Sequence, residues 1–473
     1  MIKKGIRIII HIFNRKLLFI VRFIRMILIL VYVTNYVYAD RIVVGYFPSW
    51  FRLTLPAENI KFEHLTHINH AFAWPDEAGN LIMDGNLIYP ELNQLAHQKN
   101  IKIIISLGGW GNSYGFSPMV ADSIKRAFFI DNLVDFLNTN NYDGIDFDWE
   151  FPNTIDDRNN LTKFIMKIRD RFNIENPDWL ITFAVGTSHW KGQWYDYDQL
   201  VNYVDWFNAM CYDYHGSWST HSGHNAPLYQ PPGCNDGAID VGMFYLHNTR
   251  GIPKNQLTVG MPFYGKEFNS ASLYSPFTGS VTDYFYYQII PKMNEGWIYH
   301  WDDVSKVPYL TNSTNTKLIT FDDMVSIRHK CEWIKEQGYS GGMIWALGQD
   351  LYNNEQVLLE TIGKQLLDST STSITVKVKR PQDYIVHNNY PNPFNSTTTI
   401  IFVMPYNASV QIDIYNAAGE LIQKLLNEQK NAGRYNIKFN GTSLSSGMYF
   451  YRLRINNEGI NPVHLSGKMQ ILK

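Results

Sequence analysis

YDGIDFDWEFP, residues 142–152, places three carboxylates, Asp146, Asp148 and Glu150, at alternate positions of a run that otherwise reads as a buried strand. Side chains in a strand alternate between faces, so the three acids share one face while Ile145, Phe147 and Trp149 take the other. A row of acids on an apolar strand is costly unless water, hydrogen bonds or a bound molecule offsets it. Same-face positions lie roughly 6.5–7 Å apart. Carboxylates this close repel one another, so at least one pKa is expected to rise, and a proton can be shared. A raised pKa on Glu150 would put a general acid at work near neutral pH.

On either side of this run, from Arg41 to about Gln365, strand-like apolar stretches alternate with longer amphipathic ones. The strand candidates are RIVVGYF, HLTHINHAFAW, KIIISLGGW, YDGIDFDWE, LITFAVGT, VDWFNAMCYDY, LTVGMPFYG and GGMIWAL. Eight such runs, apolar on both faces, predict an α/β fold, a parallel (β/α)8 TIM barrel over residues 40–367. The acidic run is then the fourth strand, with Glu150 at its C-terminal end, where barrels of this type gather their active sites. The longest gap, about residues 266–339, predicts a small α+β insertion between strands seven and eight. Its end, FDDMVSIRHKCEWIKEQG, reads as a helix started by Asp322 or Asp323 and stopped by Gly338. Residues 368–382 are polar and rich in Ser and Thr, as a linker is. From 383 to 473 the period changes to two, in SVQIDIYNAAGELIQKL, GRYNIKFNG and SGMYFYRLRI, which predicts a small all-β sandwich.

Composition narrows the function. With 41 basic and 43 acidic residues the chain lacks the basic excess of a nucleic-acid binder. Phe, Trp and Tyr make up 15% of it, more than a core alone requires, and flat rings stack on sugar faces. The three cysteines show no metal-ligand spacing, and Cys211 lies in an apolar run and reads as inert core. His64, His67 and His70 alternate faces, so at most two of them could converge, which speaks against a metal. GYSGG, residues 338–342, matches a nucleophile-elbow pattern, but the strand and helix around it come in the wrong order. No metal and no cofactor are expected. Residues 1–39, basic and then apolar and ending in Val-Tyr-Ala, predict a signal peptide cleaved after Ala39; a membrane anchor is the alternative.

DGIDFDWE resembles the D-x-x-D-x-D-x-E signature of family 18 glycoside hydrolases, the chitinases, and its companions fall in the family's order. SLGG (106–109) is similar to the third-strand motif, MCYDYHGSW (210–218) to the sixth, GMPFYGKEF to the seventh and GGMIWALGQD to the eighth. The insertion carries WDDVSKVPYL, typical of the chitinase α+β subdomain. The resemblance implies that Glu150 protonates the glycosidic oxygen. The substrate's own N-acetyl carbonyl then attacks the anomeric carbon, an exception to the two-carboxylate scheme. Asp148 would orient that acetamide, Asp146 would share a proton with Asp148, and Tyr212 would hydrogen-bond the acetamide carbonyl. Asp213 and Met210 would line the same subsite, Trp345 would floor it, and Trp110 would form a platform on the leaving-group side. Tyr46, Phe72 and Tyr264 read as pocket walls or barrel packing. Asp143, of opposite parity, reads as structural. Lys266 stands where the family often has Arg, which puts a bidentate sugar contact in doubt.

The implied partner is chitin or its oligosaccharides. One alternative is an endo-β-N-acetylglucosaminidase on glycoprotein glycans or peptidoglycan. The groove wall implied by the insertion speaks against it. The other is a non-catalytic chitin-binding lectin, against which the presence of Glu150, Asp148 and Tyr212 speaks. NNYPNPFNSTTTIIFVMP, VQIDIYNAAGELI, SGMYFYRL and the final KMQILK resemble a type IX secretion C-terminal sorting domain, which implies a secreted or cell-surface protein handled by outer-membrane machinery. A carbohydrate-binding sandwich is the alternative, disfavoured because Tyr449, Phe450 and Tyr451 are consecutive and cannot form one stacking stripe. Oligomeric state is left open.

Overall fold

The computed structural model describes residues 41–293, 295–367, 385–404, 408–430, 433–456 and 463–473. The leader expected at 1–39 and the linker expected at 368–382 lie outside them. Among the described residues no helix is long and apolar enough to cross a membrane. The chain divides into two compact units between residues 370 and 371.

The first unit is a closed barrel of eight parallel strands: β1 Ile42–Pro48, β2 His67–Pro75, β3 Lys102–Gly108, β4 Gly144–Asp148, β5 Leu180–Gly186, β6 Trp206–Met210, β7 Leu257–Pro262 and β8 Gly341–Trp345. Each pairs with the next, and β1 pairs with both β2 and β8, so no edge is left along the barrel wall. Parity sets the two sides of this wall. Val44, Tyr46, Ile104, Trp206 and Met343 form the cluster that fills the interior. Ile103, Ile105, Ile145 and Phe147 belong to the much larger cluster that includes the surrounding helices. Strands buried on both faces must be apolar throughout, which is why these runs stand out in the sequence.

Between β7 and β8 lies a five-stranded antiparallel sheet spanning Tyr264–Thr320, with the helix Tyr286–Lys292 inserted. The chain then enters the helix Met324–Gln337, which packs on β8 and on the helix Val357–Leu366. Asp323, not Asp322, caps it by accepting from the Val325 and Ser326 N–H groups, and Gly338 ends it at φ 76°. Asp322 instead receives the Lys330 ammonium at 2.5 and 2.6 Å, with both side chains fully buried. Removing one partner of such a pair strands the other charge away from water. Asp322→Ala is therefore expected to cost about 3–5 kcal/mol of unfolding free energy. Urea denaturation of the variant against the parent measures it.

The second unit has an antiparallel three-stranded sheet (Ile385–Tyr390, Thr397–Met404, Gly433–Asn440) and an antiparallel four-stranded one (Leu421–Lys430, Ala408–Asn416, Gly447–Asn456, Val463–Ile471). Alternate residues, including Val410, Ile412 and Ile414, meet Phe402, Phe439 and Leu453 in a separate core. Tyr449 and Tyr451 turn inward while Phe450 is exposed, so the three aromatics do not line up on one surface.

Candidate active site

The acids of β4 point into the C-terminal half of the barrel, and their environments differ. Asp146 is fully buried and accepts four hydrogen bonds. Tyr46 Oη (2.7 Å) and Ser106 Oγ (2.7 Å) donate to Oδ2, while Thr182 Oγ1 (2.5 Å) and Asn208 Nδ2 (3.2 Å) donate to Oδ1. Ser106 and Thr182 are the register partners of Asp146 on β3 and β5, which is how two hydroxyls reach one carboxylate. Burial still pushes the Asp146 pKa up, against the lowering effect of its donors.

Asp148 is 5% exposed, and its Oδ1 has no hydrogen-bond partner. Burial first, then the Glu150 and Asp146 charges, raise its pKa well above the usual carboxylate range. The two aspartates are not hydrogen-bonded to each other, because the oxygens of Asp146 are taken by its four donors. A buried carboxyl with an idle oxygen is an acceptor held ready for something that enters the site.

Glu150 lies just past the end of β4 and is half-buried. Its backbone N–H donates to Ser113 Oγ (3.0 Å). Burial, aided by the Asp213 carboxylate and opposed by Lys191, pushes its carboxyl up to about 7. That value suits a group that must hold a proton near neutral pH and then release it.

The glycines of SLGG have a steric reason. Gly108 (φ 116°) lies where a Cβ would come within 2.3 Å of the Asp148 carbonyl oxygen. At Gly109 (φ 83°) a Cβ would meet the Phe72 ring at 2.7 Å. The Gly109 N–H donates to that same Asp148 carbonyl (2.8 Å), which locks β3 to the end of β4.

The aromatic residues assemble around the acids. Trp345, half-buried at the end of β8, stacks on Phe72 with centroids 5.8 Å apart and meets Tyr46 edge-on at 5.6 Å. Tyr46 and Phe72 are buried, and Tyr46 both supports Trp345 and hydrogen-bonds Asp146. Tyr212 and Met210, half-buried, pack against the interior cluster, and Tyr212 meets Tyr264 edge-on at 6.2 Å. Trp110 stands at the rim, 82% exposed.

Asp213, at φ 59°, accepts from Tyr264 Oη (2.6 Å) and pairs with Lys266 (3.0 Å). Lys266 is buried, also 3.0 Å from Asp283, and sits 5.3 Å from the Trp218 ring, so its ammonium is already spent on two carboxylates. Asp143, of opposite parity, accepts from His97, Lys102 and the Ile103 N–H, away from these groups. His67 and His70 do not converge. His67 meets the Trp206 ring and His70 the Tyr142 hydroxyl, and burial keeps both neutral by lowering them to about 4 and about 3.

Sequence reasoning gave no role to Ser106, Thr182 and Asn208, though all three lie in the strand runs. Equal parity with Asp146 on neighbouring strands was the signal that could have found the first two. Lys191, near Glu150, and the exposed Trp50 lie on the one-turn helices His189–Gly192 and Ser49–Phe51, and the exposed Trp218 lies in a loop, segments too short for a periodic signal. Among the described residues no histidine or cysteine joins the three acids. The one His/Asp cluster with metal-ligand spacing among the described residues is on the loop after β6.

Comparison with known proteins places this arrangement. Residues 388–462 match the model of a secretion system C-terminal sorting domain. The chain is 28% identical over 466 residues to Chitinase A1 of Niallia circulans, covering 80% of this chain and 66% of that protein. It is 29% identical over 342 residues to an endochitinase of Manduca sexta, covering 62% of this chain and 60% of that protein. It thus spans less than two thirds of the length of either relative. The crystal structure of an immunomodulatory active chitinase from Trichuris suis superposes with a TM-score of 0.64 at 28% identity, covering 69% of this chain and all of that one. Residues 42–350, well over half of the chain, match the model of glycosyl hydrolases family 18, and the chain belongs to that family.

Proposed function

We propose that the chain is a chitinase that hydrolyses β-1,4 links between N-acetylglucosamine units with retention of configuration. The observation that carries this reading is Asp148, a buried carboxyl with one idle oxygen beside a glutamic acid whose pKa is about 7. An acetamide N–H donating to Asp148 Oδ1 would satisfy that oxygen and turn the acetamide carbonyl toward the anomeric carbon. Glu150 gives its proton to the glycosidic oxygen as the bond to the anomeric carbon breaks. The acetamide carbonyl oxygen forms the replacing bond, and the positive charge of the resulting oxazolinium faces the aspartates. Water then attacks the anomeric carbon from the vacated side and passes a proton to the Glu150 carboxylate, restoring the acid. Tyr212 holds the acetamide oxygen, Asp146 acts on Asp148 through its charge rather than through a shared proton, and Trp345 supports the sugar ring from below. Met210, Asp213 and Tyr264 wall the subsite, and Trp110 receives the leaving-group sugars by stacking.

A product time course tests this. Chitin tetramer and pentamer, a glycoprotein and peptidoglycan are each incubated with the enzyme, and product anomers are resolved. β-Anomeric oligomers from chitin are expected. Silence on chitin with release from either other substrate would replace this reading by an endo-β-N-acetylglucosaminidase.

The acid must be protonated to act, so kcat/KM is expected to fall as pH rises through about 7, the value to which burial raises Glu150. The Asp213 charge raises that pKa and Lys191 lowers it. Asp213→Asn should move the alkaline limb to lower pH and Lys191→Ala to higher pH, read from kcat/KM profiles of the two variants. A limb unmoved in both would separate Glu150 from the titration.

The sorting domain supports export by the type IX route, with the mature barrel released or held at the cell surface. Deletion of 383–473 is expected to leave an active enzyme in the periplasm, measured by cell fractionation; normal release of the truncated chain would remove the sorting role.

A further inference from the structure

The segment that follows Tyr212 and Asp213 carries a second cluster of polar side chains. His215 Nδ1 donates to the His224 carbonyl (3.0 Å), and His221 Nδ1 donates to the Ser222 carbonyl (3.1 Å). A carbonyl only accepts, so each Nδ1 bears a proton, and each neutral ring presents an Nε2 lone pair. Both Nε2 atoms are aimed at one carboxylate. His215 Nε2 is 3.3 Å from Asp236 Oδ2, and His221 Nε2 is 3.6 Å from Asp236 Oδ1. The ligating atoms of the three residues all lie within 4.8 Å of one another.

Three electron-rich groups converging in this way repel one another unless a cation sits among them. His215 Nε2 is buried and has no hydrogen bond. The His–Asp separations of 3.3 and 3.6 Å fit a metal. Bonds of about 2.0–2.2 Å in a tetrahedral site separate ligand atoms by roughly 3.3–3.6 Å. Fixing imidazoles through Nδ1–H to backbone carbonyls is also how metal-binding histidines are held in orientation.

The surroundings favour a built site. A Cβ at Gly223 would fall 2.3 Å from His215 Nε2, so only glycine lets the loop pass over this ring. The Tyr274 ring flanks both imidazoles at 5.9 and 6.4 Å. The Cys234 thiol donates to Asp236 Oδ2. His221 and Asp236 are partly exposed, which leaves a route for an ion and a fourth position for water.

We propose that His215, His221 and Asp236 form a binding site for a divalent transition metal, with zinc the best match to two imidazoles and one carboxylate. Two nitrogen donors disfavour calcium and magnesium, which take oxygen ligands. The ion would pin the segment after Tyr212 and Asp213 to the loop at 231–236, and so act on the stability of the active-site rim without entering the chemistry at Glu150.

The test uses the untagged full chain, stripped with a chelator and titrated with zinc against a chromogenic competitor. One equivalent of saturable uptake is expected, together with a rise in Tm on zinc addition. His221→Ala and Asp236→Asn, partly exposed positions chosen to spare folding, should each weaken binding more than about tenfold and remove the rise in Tm. His329→Ala, on the helix Met324–Gln337, should leave both unchanged. Substitution by cobalt should give the visible absorption of a four-coordinate site in the parent and not in Asp236→Asn. The absence of saturable uptake overturns the proposal. So does uptake unaltered in His221→Ala and Asp236→Asn, or lost equally in His329→Ala.

Discussion

Glu150→Gln is expected to lower kcat on chitin oligosaccharides by about 10²–10⁴-fold while leaving their affinity close to that of the parent. The substitution preserves shape and hydrogen-bonding reach but removes the transferable proton. That proton is used only as the glycosidic bond breaks, so the loss falls on the transition state and spares the ground state. The environment supports the proposal that Glu150 is the donor. It is half-buried at the mouth of the barrel, within reach of a sugar, whereas Asp146 is sealed by four hydrogen bonds and has no approach from solvent. Calorimetric titration of the variant with chitin pentamer, beside steady-state rates, separates the two effects. A variant that retains substantial turnover would remove Glu150 from the role of acid.

The barrel was legible because burial on both faces forces a parallel strand to be apolar throughout, and each of the eight such runs holds a barrel strand, with β1 and β2 extending one residue past theirs to Pro48 and Pro75. The helix Met324–Gln337 was legible from its ends, though two adjacent aspartates left its cap ambiguous. Geometry separates them: Asp323 meets the free N–H groups, and Asp322 turns inward to Lys330. Parity put Asp146, Asp148 and Glu150 on one face and Asp143 on the other. Parity along one strand does not give the register between strands, and register is what brings Ser106 and Thr182 to Asp146. The departure at Lys266 was visible in the sequence, but its pairing with Asp213 and Asp283 depends on how the insertion folds back beside β7. Residues His215, His221 and Asp236 lie in irregular loop, where no period predicts which side chains meet.

Asp148→Asn is expected to lower kcat by about 10²–10³-fold, and its pattern should differ from that of Glu150→Gln. The amide keeps an oxygen that can accept from the acetamide N–H, so positioning survives in part. It cannot become negative, and the charge on the forming oxazolinium loses its nearest counter-charge in a site where burial makes that charge costly. An aryl β-glycoside of chitobiose with an acidic phenol as leaving group tells the two roles apart. Such a phenol departs without a proton, so Glu150→Gln should recover most of its bond-cleavage rate on this substrate. Asp148→Asn should not recover, because attack by the acetamide accompanies departure of any leaving group, good or poor. Equal recovery in both variants would mean that Asp148 serves only the proton transfer to the leaving group, and the acetamide would then need another residue to orient it. Recovery in neither would place the loss in binding or folding, which the affinity of each variant for chitin pentamer distinguishes.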